Sequence, residues 1–339
     1  IGTVIREELE PHHLLTYLEA ILRVYNRYGR RDNKYKARIK ILVRAMTPEV
    51  FAEKVEAEWQ TLKDGSGMLS EVEIDRVKKH FTEPDYEHLD DHVPEVDDLI
   101  SDSSGFGAWV KQNVKPHKKP GYCIVTLALK NTAVAPGDVT DEQLEIIADL
   151  ADKYSFGEVR VTHEQNVTLA DVPKKALHDL WSELATASLA SPNLGLLTDI
   201  ICCPGGDYCS LANAKSIPVA EAIQRQFDDL GYLHDLGEMD VNISGCMNAC
   251  GHHHVGNIGI LGVDKKGSEF YQVSIGGSGY EDAALAKILG PSFAQDDVPT
   301  VIQTLIDVYL NNRQEDEKFI DTYRRIGIDP YKQAVYANE

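Results

Sequence analysis

CCPGGDYCSLA, residues 202–212, and SGCMNACGHHHVG, residues 244–256, carry five of the six cysteines of this chain. Cys203 and Cys209 enclose five residues, Cys246 and Cys250 enclose three, and 36 residues separate the two pairs. Two short loops with two thiolates each can converge on one inorganic centre. Tetrahedral zinc sites mostly use Cys-x2-4-Cys knuckles, whereas an iron-sulfur cube needs its ligands spread over four corners, so spacings of five and three suit the larger object. Zinc ligation and plain burial are the competing readings. Pro204, Gly205 and Gly206 let the first loop turn tightly and bring amide N–H groups near sulfur. Cys202 could stand in for its neighbour at a spacing of six, but Cys203 leads directly into the Pro-Gly-Gly turn and is the expected ligand. Cys123, inside an apolar run, reads as a core residue. His252, His253 and His254 cannot all face one ion, and packing, or a place near anionic cofactor groups, is the expectation for them.

The totals set the frame. With 339 residues, 43% of them hydrophobic, the chain can bury the cores of two or three domains. Six cysteines are too few for a disulfide-stapled secreted domain. A net charge of −20, from 34 basic and 54 acidic residues, argues against nucleic acid and anionic membranes as partners. With no apolar run of spanning length and no secretory signal, a cytoplasmic location is expected. One segment departs from the acidic background: Arg23 to Arg44 carries nine bases against Asp32 alone. It reads as a solvated, salt-bridged helix or as a surface for an anionic partner.

The pattern along the chain predicts four regions. Residues 1–48 are helical: Leu14, Leu15, Leu18, Ile21, Leu22 and Tyr25 recur at three-to-four spacing before Gly29, and the basic stretch is expected as a second helix. Residues 49–104 are acidic, weakly patterned and expected as a solvated connector. Residues 105–191 give strand, helix, two strands and helix, a ferredoxin-like half-domain in which Thr140 and Gln143 form a capping box. Residues 192–339 carry both cysteine loops on an α/β scaffold with a closing helix. The expected class is α+β.

The loops resemble those of the sulfite and nitrite reductase haemoprotein family, whose pattern is Cys-x5-Cys followed by Cys-x-Asn-x-Cys. Here it falls on Cys203, Cys209, Cys246, Asn248 and Cys250. The run RVTHEQN from Arg160 to Asn166, the WVK of Trp109 to Lys111 and the GRRDNKYKARIK of Gly29 to Lys40 are similar to further family segments, so the resemblance covers nearly the whole chain. It implies a 4Fe-4S cluster on Cys203, Cys209, Cys246 and Cys250, with Cys250 also reaching the iron of a sirohaem. It further implies sirohaem contacts from Lys111, Arg160, Gln165, Asn166 and Asn248. The activity implied is six-electron reduction of sulfite to sulfide, with nitrite to ammonia as the alternative, and the electron donor implied is a ferredoxin or an NADPH-dependent flavoprotein. The family is a pseudo-twofold repeat, and the chain is similar to the tail of the first half and the whole of the second. A preceding half with the anion-gripping arginines and lysines is therefore expected, and a catalytically incomplete piece is one reading of this chain. A zinc or iron-sulfur module without reductase chemistry is the more distant one.

Overall fold

Tyr86 closes one compact unit, Ile1–Tyr86, and Glu87–Glu339 forms the other, in a computed structural model that describes residues 2–132 and 134–337. The first unit is helical, with α1 (Leu14–Tyr28), α2 (Ile39–Met46), α3 (Pro48–Gln60) and α4 (Glu71–Lys78). The expected connector therefore begins with a core helix. Phe51, Val55 and Trp59, four residues apart among charged neighbours, form one face of α3 that packs on Tyr17, Ala20 and Val24 of α1. Trp59 Nε1 donates to Thr16 Oγ1 at 3.0 Å within this core. The α1 stripe is corrected too: Leu14, Leu15, Leu18 and Leu22 stay exposed, because α1 is apolar around most of its girth and α3 covers the Tyr17 side. The basic stretch is not one helix. Residues 30–38 are irregular and α2 starts only at Ile39, since bases at i and i+4, such as Arg27 with Arg31 and Lys36 with Lys40, oppose helix formation.

The second unit opens with α5 (Pro94–Asp102) and α6 (Ser104–Asn113). A four-stranded antiparallel sheet follows, built from β1 (Val114–Pro116), β2 (Tyr122–Leu127), β3 (Arg160–Val161) and β4 (Val167–Pro173) in the order β1-β2-β4-β3. Two helices share its core, α7 (Asp141–Tyr154) between β2 and β3 and α8 (Leu177–Thr186) after β4. Thr140 and Gln143 form the capping box reciprocally at the start of α7. Val125, Leu127 and Leu169 from the strands meet Ile147, Leu150, Leu180 and Leu184 from the helices, with Phe106 and Trp109 of α6 fully buried among them. Cys123 lies in this core, and burial pushes its thiol up to about 12.

The remaining elements build a five-stranded mixed sheet in the order β5-β6-β7-β8-β9. They are β5 (Ile201–Cys202), α9 (Gly205–Tyr208), α10 (Ile217–Gln226), α11 (Leu230–Leu236), β6 (Val241–Ser244), β7 (Ile258–Lys265), β8 (Ser268–Ile275) and β9 (Lys287–Ile288). Three helices close the chain, α12 (Val298–Asn312), α13 (Phe319–Ile326) and α14 (Asp329–Val335). β5, β6 and β7 run parallel, β8 runs antiparallel to β7, and β9 antiparallel to β8. Parallel central strands are buried on both faces, which is why Val241, Ile243, Ile258 and Ile260 have no measurable exposure. The fold is α+β, with a ferredoxin-like half-domain leading into this sheet. Among the described residues no helix is long and apolar enough to cross a membrane.

Candidate metal centre

β5 and β6 lie side by side and parallel, with Cys202 opposite Ile243, and both cysteine loops leave from their carboxyl ends. Alternation along a strand sends neighbouring side chains to opposite faces. Cys202 points into the core at 3% exposure, and burial raises its thiol far above the ordinary range. Cys203 therefore faces the other way. Its N–H donates to Ile243 O at 3.1 Å, and its Sγ accepts the Gly245 N–H at 3.1 Å and lies 3.5 Å from Ser216 Oγ. Cys209 ends α9, half-buried, with its N–H on Gly205 O at 2.9 Å. Cys246 is buried just beyond β6, and a turn closed by Ala249 N–H on Cys246 O brings Cys250 to the surface.

Two glycines let these loops touch. Gly205 has a φ of +59°, and a Cβ there would lie 2.4 Å from Ser216 N. At Gly245 a Cβ would lie 2.6 Å from Ala214 O and 2.9 Å from Gly205 Cα. The Gly245 carbonyl accepts from both Asn213 N and Ala214 N, and Gly206 N donates to Ala214 O. Ala249 and His252, on the second loop, are held left-handed at φ +59° and +56°.

Four thiolates about 2.3 Å from a single tetrahedral zinc sit about 3.8 Å apart. Among the described residues, no three cysteine sulfurs lie within 4.8 Å of one another. The rim is apolar and uncovered: Tyr208, Leu211 and Met247 are 82%, 71% and 80% exposed, which leaves large apolar side chains in water on the loops that carry the cysteines. Asn248 is exposed beside Met247.

Gln165 and Asn166 are brought to this sheet through the protein itself. Gln165, left-handed at φ +62°, donates Nε2 to Cys202 O and accepts Cys202 N–H, both at 2.8 Å, so its amide acts as an extra strand residue on the edge of β5. Asn166 is buried, accepting Leu129 N–H and donating to Asp199 Oδ1, each at 3.0 Å. Both amides are thus committed to protein partners. Lys111 and Arg160 are exposed on the ferredoxin-like half, Lys111 in the last turn of α6 and Arg160 on edge strand β3, paired with Glu158. The sequence reading missed Lys130 and Asp199. Lys130 Nζ is fully buried and reaches Asp199 Oδ1 at 3.1 Å and Glu164 O at 2.7 Å, while Asp199 Oδ2 accepts Gly195 N–H at 2.9 Å. A lysine ending the apolar run Leu127 to Leu129 was the available signal, but its partner is 69 residues away. Of the three histidines, His252 and His254 are exposed and His253 is buried, which holds its imidazole down at about 4.

The family model described as the nitrite and sulphite reductase 4Fe-4S domain matches residues 2–63 and 196–339, and the nitrite/sulfite reductase ferredoxin-like half domain matches residues 115–187. The ferredoxin–nitrite reductase of Synechococcus elongatus is 28% identical over 306 residues, covering 87% of this chain and 51% of that protein. Sulfite reductase [ferredoxin] 2 of Mycolicibacterium paratuberculosis is 26% identical over 322 residues, covering 91% and 50%. The solved structure of the Mycobacterium tuberculosis NirA protein superposes with a TM-score of 0.65 at 24% identity, covering 94% of this chain and 53% of that one, a likeness of fold. The chain thus spans about half the length of these relatives. Two cysteine loops on adjacent parallel strands, a ferredoxin-like half-domain before them and family models matching both place the chain in the nitrite and sulphite reductase 4Fe-4S domain family.

Proposed function

We propose that Cys203, Cys209, Cys246 and Cys250 hold a 4Fe-4S cluster, that Cys250 also reaches the iron of a sirohaem, and that the chain serves in the six-electron reduction of sulfite or nitrite. The observation that carries this reading is the meeting of the two cysteine loops at Gly205 and Gly245, with the Gly245 N–H on the Cys203 sulfur. When bound, the cluster and sirohaem supply the electron relay and the iron at which the oxyanion is reduced.

The chain's own residues prepare the site. An N–H and a hydroxyl at the Cys203 sulfur offset thiolate charge and raise the reduction potential of what it binds. Cys250 is the exposed member of the set, as a thiolate shared with a second group must be. Tyr208, Leu211 and Met247 offer an apolar surface to a macrocycle, with Asn248 as a polar contact. Lys111 and Arg160 are cations suited to carboxylates of the same group. Gln165 and Asn166 act as positioning residues, fixing β5 and so the direction in which Cys203 leaves it. Sulfite is the substrate first proposed. Relatives named for nitrite and for sulfite both match, and a ferredoxin or an NADPH-dependent flavoprotein is the proposed donor.

Anaerobic reconstitution with iron and sulfide tests the centre, and electrochemically reduced methyl viologen with sulfite and nitrite in parallel tests the chemistry. Iron and acid-labile sulfide in equal amounts support the reading. One zinc per chain without sulfide overturns it.

A further inference from the structure

We propose that Glu10, His12 and His13 form a second metal site, in the first unit, that takes a divalent ion of the zinc type. A turn of 3-10 helix, Pro11–His13, presents all three side chains from consecutive backbone. Glu10 Oε2 lies 3.1 Å from His12 Nε2 and 3.9 Å from His13 Nε2, and the imidazole centroids are 4.2 Å apart. One atom from each residue falls within 4.8 Å of the others. An ion bound at about 2.0–2.1 Å in tetrahedral geometry needs its ligand atoms about 3.3–3.4 Å apart, so the two Glu10 distances bracket the required edge.

An imidazole nitrogen offering its lone pair and a carboxylate oxygen are both ligand atoms for a divalent ion, which would take the place of the contacts that Glu10 makes to the two imidazoles. The backbone holds the groups in place: His13 N–H bonds Glu10 O at 2.9 Å, Leu69 N–H bonds His12 O at 3.0 Å and Thr16 Oγ1 bonds His13 O at 2.9 Å. The His13 side chain is 12% exposed, edge-on to Trp59 at 5.2 Å, and its Nδ1 is buried without a partner among the described residues. Glu10 and His13 line a cleft of about 830 Å³ together with Glu7, Glu8, Asp64, Arg6 and Lys63, and Arg6 is paired with Glu56 at 2.8 Å. The cleft leaves room for water as a fourth ligand, and its charge favours a cation.

Cobalt(II) titration of the full chain, followed by visible absorption and calorimetry, is the test. One ion per chain is expected in a site free of thiolate-to-cobalt charge-transfer absorption, which separates it from any cobalt on the cysteines. Glu10→Gln and His12→Ala alter partly exposed side chains, and each should weaken binding about tenfold or more with an unchanged circular dichroism spectrum. Cobalt confined to thiolates, or equal affinity in wild type and both variants, would overturn the site.

Discussion

Gly245→Ala adds one methyl group where the two cysteine loops meet, and its cost can be worked from the contacts. The new Cβ would sit 2.6 Å from Ala214 O, 2.9 Å from Gly205 Cα and 3.0 Å from Ser216 Oγ. The first two atoms are backbone, so no rotamer change relieves them. Ordinary contact begins near 3.4 Å, and the loops must part by about 0.8 Å. Overpacking of this kind costs about 1–3 kcal/mol, and the upper half of that range applies when both neighbours are main chain. For a unit of this size that lowers Tm by about 5–10 °C. The same movement stretches the 3.1 Å bond from Gly245 N to Cys203 Sγ and exceeds the about 0.2 Å tolerance of metal-ligand distances. The assay is iron and sulfide per chain after anaerobic reconstitution, with a thermal melt beside it. Gly279→Ala is the control, because its Cβ would meet Val255 at an ordinary 3.6 Å. A Gly245→Ala protein that keeps its iron and melts with the wild type would refute the account of why the loops converge.

The adjacent cysteines should separate cleanly. Cys203→Ser is expected to lose the cluster, whereas Cys202→Ser keeps it and loses about 1–3 kcal/mol of stability for a hydroxyl in the core, read by iron content and denaturant melts. Gln165→Ala removes both hydrogen bonds to the Cys202 backbone and should cost about 2–4 kcal/mol by urea unfolding, without removing any thiol. The Asp240 carboxyl is raised to about 6, chiefly by burial and next by nearby Asp199. Its folded value lies above its unfolded one, so its contribution is full below about pH 4 and is lost as pH rises through about 6. Asp240→Asn should flatten the melting-pH curve over that window and stabilise the protein at pH 7 by up to about 3 kcal/mol.

The proposed site rests on signals that are local in sequence. The spacing of Cys203, Cys209, Cys246 and Cys250 singles out the proposed cluster ligands, and the Pro-Gly-Gly after Cys203 marks the turn that Gly205 makes at φ +59°. The choice between Cys202 and Cys203 needed the strand, since only its alternation shows which thiol faces the core. The capping box of α7 was legible for the same local reason. What escaped was long-range. Nothing near Lys130 announces Asp199, and nothing near Gln165 announces that its amide completes the edge of β5. In the first unit, periodicity showed that α1 is amphipathic but not which apolar face α3 would cover, and it missed α3 because three apolar residues were diluted by glutamates.

The central claim is that four named thiols from two loops hold one iron-sulfur cube. Iron and acid-labile sulfide measured on anaerobically reconstituted wild type and on the Cys203→Ser, Cys209→Ser, Cys246→Ser and Cys250→Ser chains test it most directly. About four iron and four sulfide per wild-type chain are expected, with a clear loss in each variant. A full complement in any one of the four, or zinc without sulfide in the wild type, would contradict it.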